Sequence, residues 1–194
     1  MSTTVTKQVS ASADDCVVIP SASYLATNIT YQIAGNLLVL PPSIISEGGM
    51  RFQTMAVPRH ATIESAYLKL KGQALAGTAK TIIYGEDADD TATFSTYADY
   101  AARTLTTTNI AWEISAFVDG TWYDSPDIKD IIQEIVNRSG WKKGNNLVIF
   151  WKDNGSGDDS YALADSYDTL AADAPQLEIT YSGGDVDSNF LIML

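Results

Sequence analysis

A chain of 194 residues, 45% of them hydrophobic, has the size of one domain and enough apolar surface for a real core. A formal charge of −12 sets an acidic surface against phosphate backbones and anionic lipid, so neither nucleic acid nor a membrane is an expected partner. Cys16 is the only cysteine and His60 the only histidine, which excludes an intrachain disulfide and a histidine-based metal cluster.

Residues 1–15 are small and polar, and they predict an extended N-terminal arm. The opening residues hold no apolar export signal, and no stretch is long enough to span a bilayer, so a protein made without export is expected. Cys16-Val17-Val18-Ile19 then predicts a short buried strand, with Cys16 a small core residue rather than a nucleophile. Further strands are expected over 31–33, 37–40, 50–57 and 81–85. Between them, 64–71 has a period of two, with Ala66, Leu68 and Leu70 on one face and Tyr67, Lys69 and Lys71 on the other, the pattern of a half-buried strand. Ile110, Trp112 and Ile114 alternate in the same way.

Ser125 as a cap, Pro126 at the first helical position and Asp127 and Asp130 near the positive end predict a helix over 126–139. Ile128, Ile131, Ile132, Ile135 and Val136 form its single apolar stripe, Glu134 and Arg138 are spaced for an ion pair, and Gly140 is placed to close it. Leu147-Val148-Ile149-Phe150-Trp151 is apolar on both faces and predicts a central strand covered by a second layer on one side and a helix or loop on the other. Strands over 161–164 and 176–181 complete the body.

The expected fold is all-β, a jelly-roll-like β-sandwich over 16–182 with one amphipathic α-helix packed on it. Ser182-Gly183-Gly184 then reads as a flexible joint and 185–189 as a polar spacer. Phe190, Leu191, Ile192, Met193 and Leu194 follow, five large apolar residues in a row. Each is worth roughly 1.5–3 kcal/mol when fully buried, so the segment 183–194 is expected to dock in a groove on a partner.

No constellation of residues carries catalysis. His60 lies in a turn, Val57-Pro58-Arg59-His60-Ala61-Thr62, and no nucleophile elbow or phosphate-binding glycine loop is present, so no catalytic residue and no cofactor are expected. The acidic runs 86–90 and 153–159 lack EF-hand spacing and read as solvated loops, so no metal is expected either. Trp122, Tyr123, Tyr97, Tyr100 and Tyr161 are candidate sugar platforms, whereas Trp112, Trp141 and Trp151 read as core. Asn28, Asn137 and Asn154 begin glycosylation-type triplets that read as chance matches in a chain without an export signal.

Met50-Arg51-Phe52 through Val57-Pro58, followed by Ala61-Thr62-Ile63-Glu64-Ser65-Ala66-Tyr67-Leu68, resembles the opening of DNRLRE-type domains. Tyr84-Gly85-Glu86, Arg103-Thr104 ahead of Trp112, Ser125-Pro126-Asp127-Ile128, the run from Gln133 to Trp141, Gly144-Asn145-Asn146-Leu147 and Ala174-Pro175-Gln176-Leu177 extend the likeness over 14–181. The resemblance implies a jelly-roll-like sandwich of secreted surface proteins and phage virion proteins, without catalytic residues. His60 stands where that pattern expects glycine.

A surface-type fold without an export signal fits a particle assembled inside a host cell. The expected role is therefore a non-enzymatic virion structural protein, a capsid decoration protein or a head or tail fibre subunit. Its expected partners are capsid subunits and further copies of itself. The alternatives are a carbohydrate-binding or adhesion module and, third, a hydrolase.

Overall fold

The computed structural model describes residues 1–37 and 43–184. Among them the alternation read at 64–71 runs through a long strand, β6 (Ala61–Ala76), in which Ala66, Leu68 and Leu70 are fully buried. The strands before it are β1 (Thr3–Gln8), β2 (Asp15–Ile19), β3 (Tyr24–Ala26), β4 (Gln32–Leu37) and β5 (Ile44–Phe52). After it come β7 (Ala79–Glu86), α1 (Tyr97–Ala102), β8 (Leu105–Ile114), β9 (Trp122–Asp124), α2 (Lys129–Val136), β10 (Leu147–Asp153), β11 (Ser160–Ala164) and β12 (Gln176–Gly183).

All described strand pairings are antiparallel, in the order β1-β12-β6-β11-β4-β5-β10-β7-β8, with β2 added beside β5, β3 beside β2 and β9 beside β6. The sheet curls into a half-barrel. One core takes Leu68 and Ile179 from one end of this order and Phe52, Trp151 and Trp112 from the other. The result is a mostly antiparallel β structure with two helices packed on it, consistent with a generic β-sandwich.

Helix α2 closes the open side. Its stripe of Ile128, Ile131, Ile132, Ile135 and Val136 is fully buried, as the spacing predicts. The polar groups on either side of the stripe satisfy two sheet edges: Gln133 accepts from Ile63 N and donates to Ala61 O, each at 2.9 Å, while Glu134 accepts from Thr107 N and Thr108 N of β8. An edge strand whose backbone is bonded this way offers no template for another chain.

Three expectations about this segment need correction. The helix starts at Lys129, not Pro126, because Ser125 and Asp127 are spent on β6: Leu68 N donates to Ser125 Oγ and Ala66 N to Asp127 Oδ1. Glu134 does not pair with Arg138, which instead bonds Asp87 and Asp89. Gly140 lies beyond the helix end, where an added Cβ would meet the Asp89 carboxylate.

The single helix expected is also joined by a second. Helix α1, capped by Thr96 Oγ1 accepting from Asp99 N, covers the other face of β10: Phe150 meets Tyr100 edge-on at 5.4 Å, and Val148, Phe94, Cys16 and Val18 complete that smaller cluster. This is the cover that a strand apolar on both faces requires. At the N-terminus, residues 3–8 are not a free arm but edge strand β1, registered on β12 from Thr3↔Tyr181 to Gln8↔Gln176. Residues 37–40 do not begin a new strand at Leu37, which ends β4, and 38–40 lie outside the described residues.

Candidate functional site

The lone histidine and the lone cysteine occupy separate places. His60 is exposed at φ +57°, a left-handed position that favours glycine, and its N–H donates to Val136 O at 3.1 Å. Cys16 is buried beneath Phe94, and burial pushes its thiol far above the ordinary range, so it stays protonated. The two acidic loops are less solvated than their composition implies. Asp87 and Asp89 hold Arg138, Asp90 Oδ1 accepts from Asn146 N and Nδ2, and Asp153 accepts from Gly155 N and Ser156 N. Among the described residues, no three His, Cys, Asp or Glu side chains gather as a metal site would, and no helix is long and apolar enough to cross a membrane.

Two polar networks rim the cluster under α1. In the first, Tyr100 donates to Glu47 Oε2 at 2.8 Å and Lys152 donates to the same oxygen. Burial, reinforced by the Glu47 charge, holds the Tyr100 phenol well above its usual value. Arg103 binds Glu86 and Asp99 at 2.9 Å each and lies 4.5 Å over the Phe94 ring, which Gly49 admits because a Cβ there would stand 2.7 Å from Phe94 Cζ. Burial raises the Glu86 carboxyl despite that arginine.

The second network lies around Asp14 and Asp15. Arg51 donates to Asp14 Oδ1 at 2.6 Å, and Gln53 bonds the other oxygen. Asp15 Oδ2 accepts from Tyr167 N at 2.8 Å, but its buried Oδ1 meets no partner among the described residues. Burial pushes this carboxyl up to about 7, and the neighbouring Asp168 and Asp14 charges push the same way. These buried groups tie β2, β5 and the loop after β11 together.

An exposed tryptophan lies on the sheet formed by β1, β12, β6 and β9. The predicted core tryptophans Trp112, Trp141 and Trp151 are at most 9% exposed, whereas Trp122 is 37% exposed. Of the other candidate rings, Tyr100 is buried, Tyr123 packs on Phe117 at 4.7 Å and accepts from Val118 N, and Tyr97 and Tyr161 are half-buried. Trp122 pairs across strands with Lys71 and Asp124 with Lys69, so these side chains share the outer face with Tyr67. Sequence reasoning placed Tyr67 on the polar face without counting it among the platform rings; its alternation with Leu68 was the signal.

The predicted docking residues Phe190, Leu191, Ile192, Met193 and Leu194 lie outside the described residues. The strand that leads to them is well held. Ser182 and Gly183 still pair with Thr62 and Ala61, and an added Cβ on Gly184 would stand 2.8 Å from Pro58 Cβ. The joint expected at 182–184 is therefore strand end and wedge, and the chain leaves the sheet beside the Pro58–Ala61 turn.

No protein-family model matches the chain, and a search among curated proteins finds no relative.

Proposed function

We propose that this chain is a non-enzymatic structural protein of a virion, a capsid decoration protein or a head or tail fibre subunit, built on a jelly-roll-like sandwich of the DNRLRE type. It binds neighbouring capsid subunits and further copies of itself, and Phe190, Leu191, Ile192, Met193 and Leu194 make the contact. The observation that supports the reading is the anchoring of β12. The strand is bonded on both sides, to β1 and to β6, and Gly184 is wedged against Pro58 and Ala61. A polar spacer and an apolar pentapeptide follow in the sequence. A firmly held strand followed in sequence by an apolar segment suits strand addition or pocket filling on a partner.

Asp14, Glu47, Glu86, Asp87, Asp89 and Asp99 hold Arg51, Arg103, Arg138 and Lys152 within the domain. That division of labour fits a rigid building block. The test is mass spectrometry of density-purified particles from the source of the sequence. Peptides of this chain in a fixed ratio to the major capsid protein support the reading, and their absence from purified particles refutes it.

A further inference from the structure

The outer face of β6 and its neighbours carries an exposed ring, Trp122, and a half-buried one, Tyr67, in a bed of paired charges. Trp122 stands opposite Lys71, Asp124 opposite Lys69 and Glu178 opposite Tyr67, all on the face away from Leu68 and Leu70. Tyr67 and Trp122 lie about four residues apart along the sheet, roughly 13 Å. Between them Lys69 Nζ reaches Asp124 at 3.0 Å and Glu178 at 3.9 Å, and Lys71 Nζ reaches Asp173 at 2.7 Å.

The backbone beneath Trp122 is fixed. Gly72 N donates to Thr121 O at 2.8 Å, Gly120 N to Gly72 O at 2.9 Å and Val118 N to the Tyr123 hydroxyl at 2.9 Å. Gly72 is required there, since an added Cβ would stand 2.8 Å from Val118 O. The exposed indole is therefore presented by a preorganised strand, and binding through it would order little further chain.

The chemistry of this face selects among ligands. The charge of each lysine is offset by a carboxylate while its ammonium keeps further N–H donors, so the face has no net positive charge to draw an anion, and the chain's −12 charge repels polyanions at longer range. The middle of a protein interface is apolar and depleted of Lys, Asp and Glu, whereas here those residues occupy the space between the rings. A polyhydroxylated neutral ligand meets neither obstacle. Its C–H faces cover aromatic rings, and its hydroxyls both donate to carboxylates and accept from ammonium groups.

We infer that the outer face of β6, β9 and β12 is a binding site for a neutral oligosaccharide, with Trp122 and Tyr67 as the stacking platforms and Lys69, Lys71, Asp124 and Glu178 as the hydrogen-bonding groups between them. The spacing of the rings makes the ligand a chain of sugars rather than one. None of its residues belongs to the docking segment, and the inference does not depend on that segment.

Native affinity electrophoresis of the full chain through gels containing soluble starch, mixed-linkage β-glucan, galactomannan or arabinoxylan tests it, with heparin as the polyanion. At least one neutral polysaccharide retards the protein, Trp122→Ala and Tyr67→Ala each weaken that retardation about tenfold or more, and Tyr24→Ala, which removes an exposed ring elsewhere, leaves it unchanged. Retardation by none of the four, by heparin alone, or as strong in either ring variant as in the parent overturns the proposal. Iodide quenching of the unmodified protein gives a second readout. Trp122 is the accessible indole beside three that are at most 9% exposed, so the retarding polysaccharide shields the quenchable emission, and unchanged quenching counts against the site.

Discussion

The Gln133 carboxamide bonds β6 twice, accepting from Ile63 N and donating to Ala61 O, so that α2 stands where another strand would otherwise pair. The next side chain, Glu134, does the same for Thr107 and Thr108 of β8. Partial burial opposes ionisation of Glu134, but these donors outweigh it and lower its pKa.

Helix α2 is thus a structural closure, and a charge in its stripe should be severe. Ile132→Asp, at a fully buried position, is expected to cost about 3–5 kcal/mol in urea unfolding, and Gln133→Leu about 1–3 kcal/mol by orphaning two backbone groups. An unchanged midpoint for Ile132→Asp would mean that the stripe is not buried.

The contact between Gly49 and Phe94 sets a second expectation. In Gly49→Ala the new methyl meets Phe94 Cζ at 2.7 Å and Cys16 Sγ at 3.0 Å, so destabilisation by about 1–3 kcal/mol is expected. Phe94→Leu in the same chain relieves the clash. The double variant should therefore lose less than the sum of the single changes, and strict additivity would contradict this packing.

Asp15 makes stability fall as pH rises. With its folded pKa near 7 against an ordinary 3.8, the unfolded chain ionises first, and the folded state loses about 1.4 kcal/mol per pH unit between the two values. The full loss is about 4 kcal/mol and levels off above pH 7. Asp15→Asn keeps an acceptor for Tyr167 N and removes this slope, so it should be more stable than the parent at pH 8 and gain little at pH 4. Parallel pH profiles for the two proteins would rule out a buried, proton-holding Asp15.

Cys16 should be silent to thiol reagents in the folded protein and fully reactive in urea, because it is 1% exposed and held protonated. Native labelling at the unfolded rate would place it at the surface.

The sequence carried its most reliable signals where one element's pattern is decided by a single buried face. The alternation in β6, the stripe of α2 and the two-sided run of β10 are of that kind, and each side chain lies as the period requires. Helix α1 escaped notice because in its 6 residues only Tyr100 is buried, too few for a period to show. Strand β1 read as an arm because an edge strand of threonines has little apolar face, and its pairing is with residues more than 160 positions away. Separation by 49–56 positions likewise hid the roles of Asp87, Asp89 and Asp90, whose partners are Arg138 and Asn146. Trp122 was among the candidate rings, but only the cross-strand register to Lys71 puts it on one face with Tyr67.

The docking account is tested most directly by removing residues 185–194, a cut that leaves β12 paired to Gly183 and Gly184 in its place. Sedimentation velocity and thermal melting of the full chain and of the shortened one then separate two roles for Phe190, Leu191, Ile192, Met193 and Leu194. The account predicts a shortened protein that melts within about 2 °C of the parent, a shift of at most about 1 kcal/mol, but no longer self-associates or attaches to particles. A shortened protein that melts far lower while its association is intact would contradict it and make the pentapeptide part of the domain's own core.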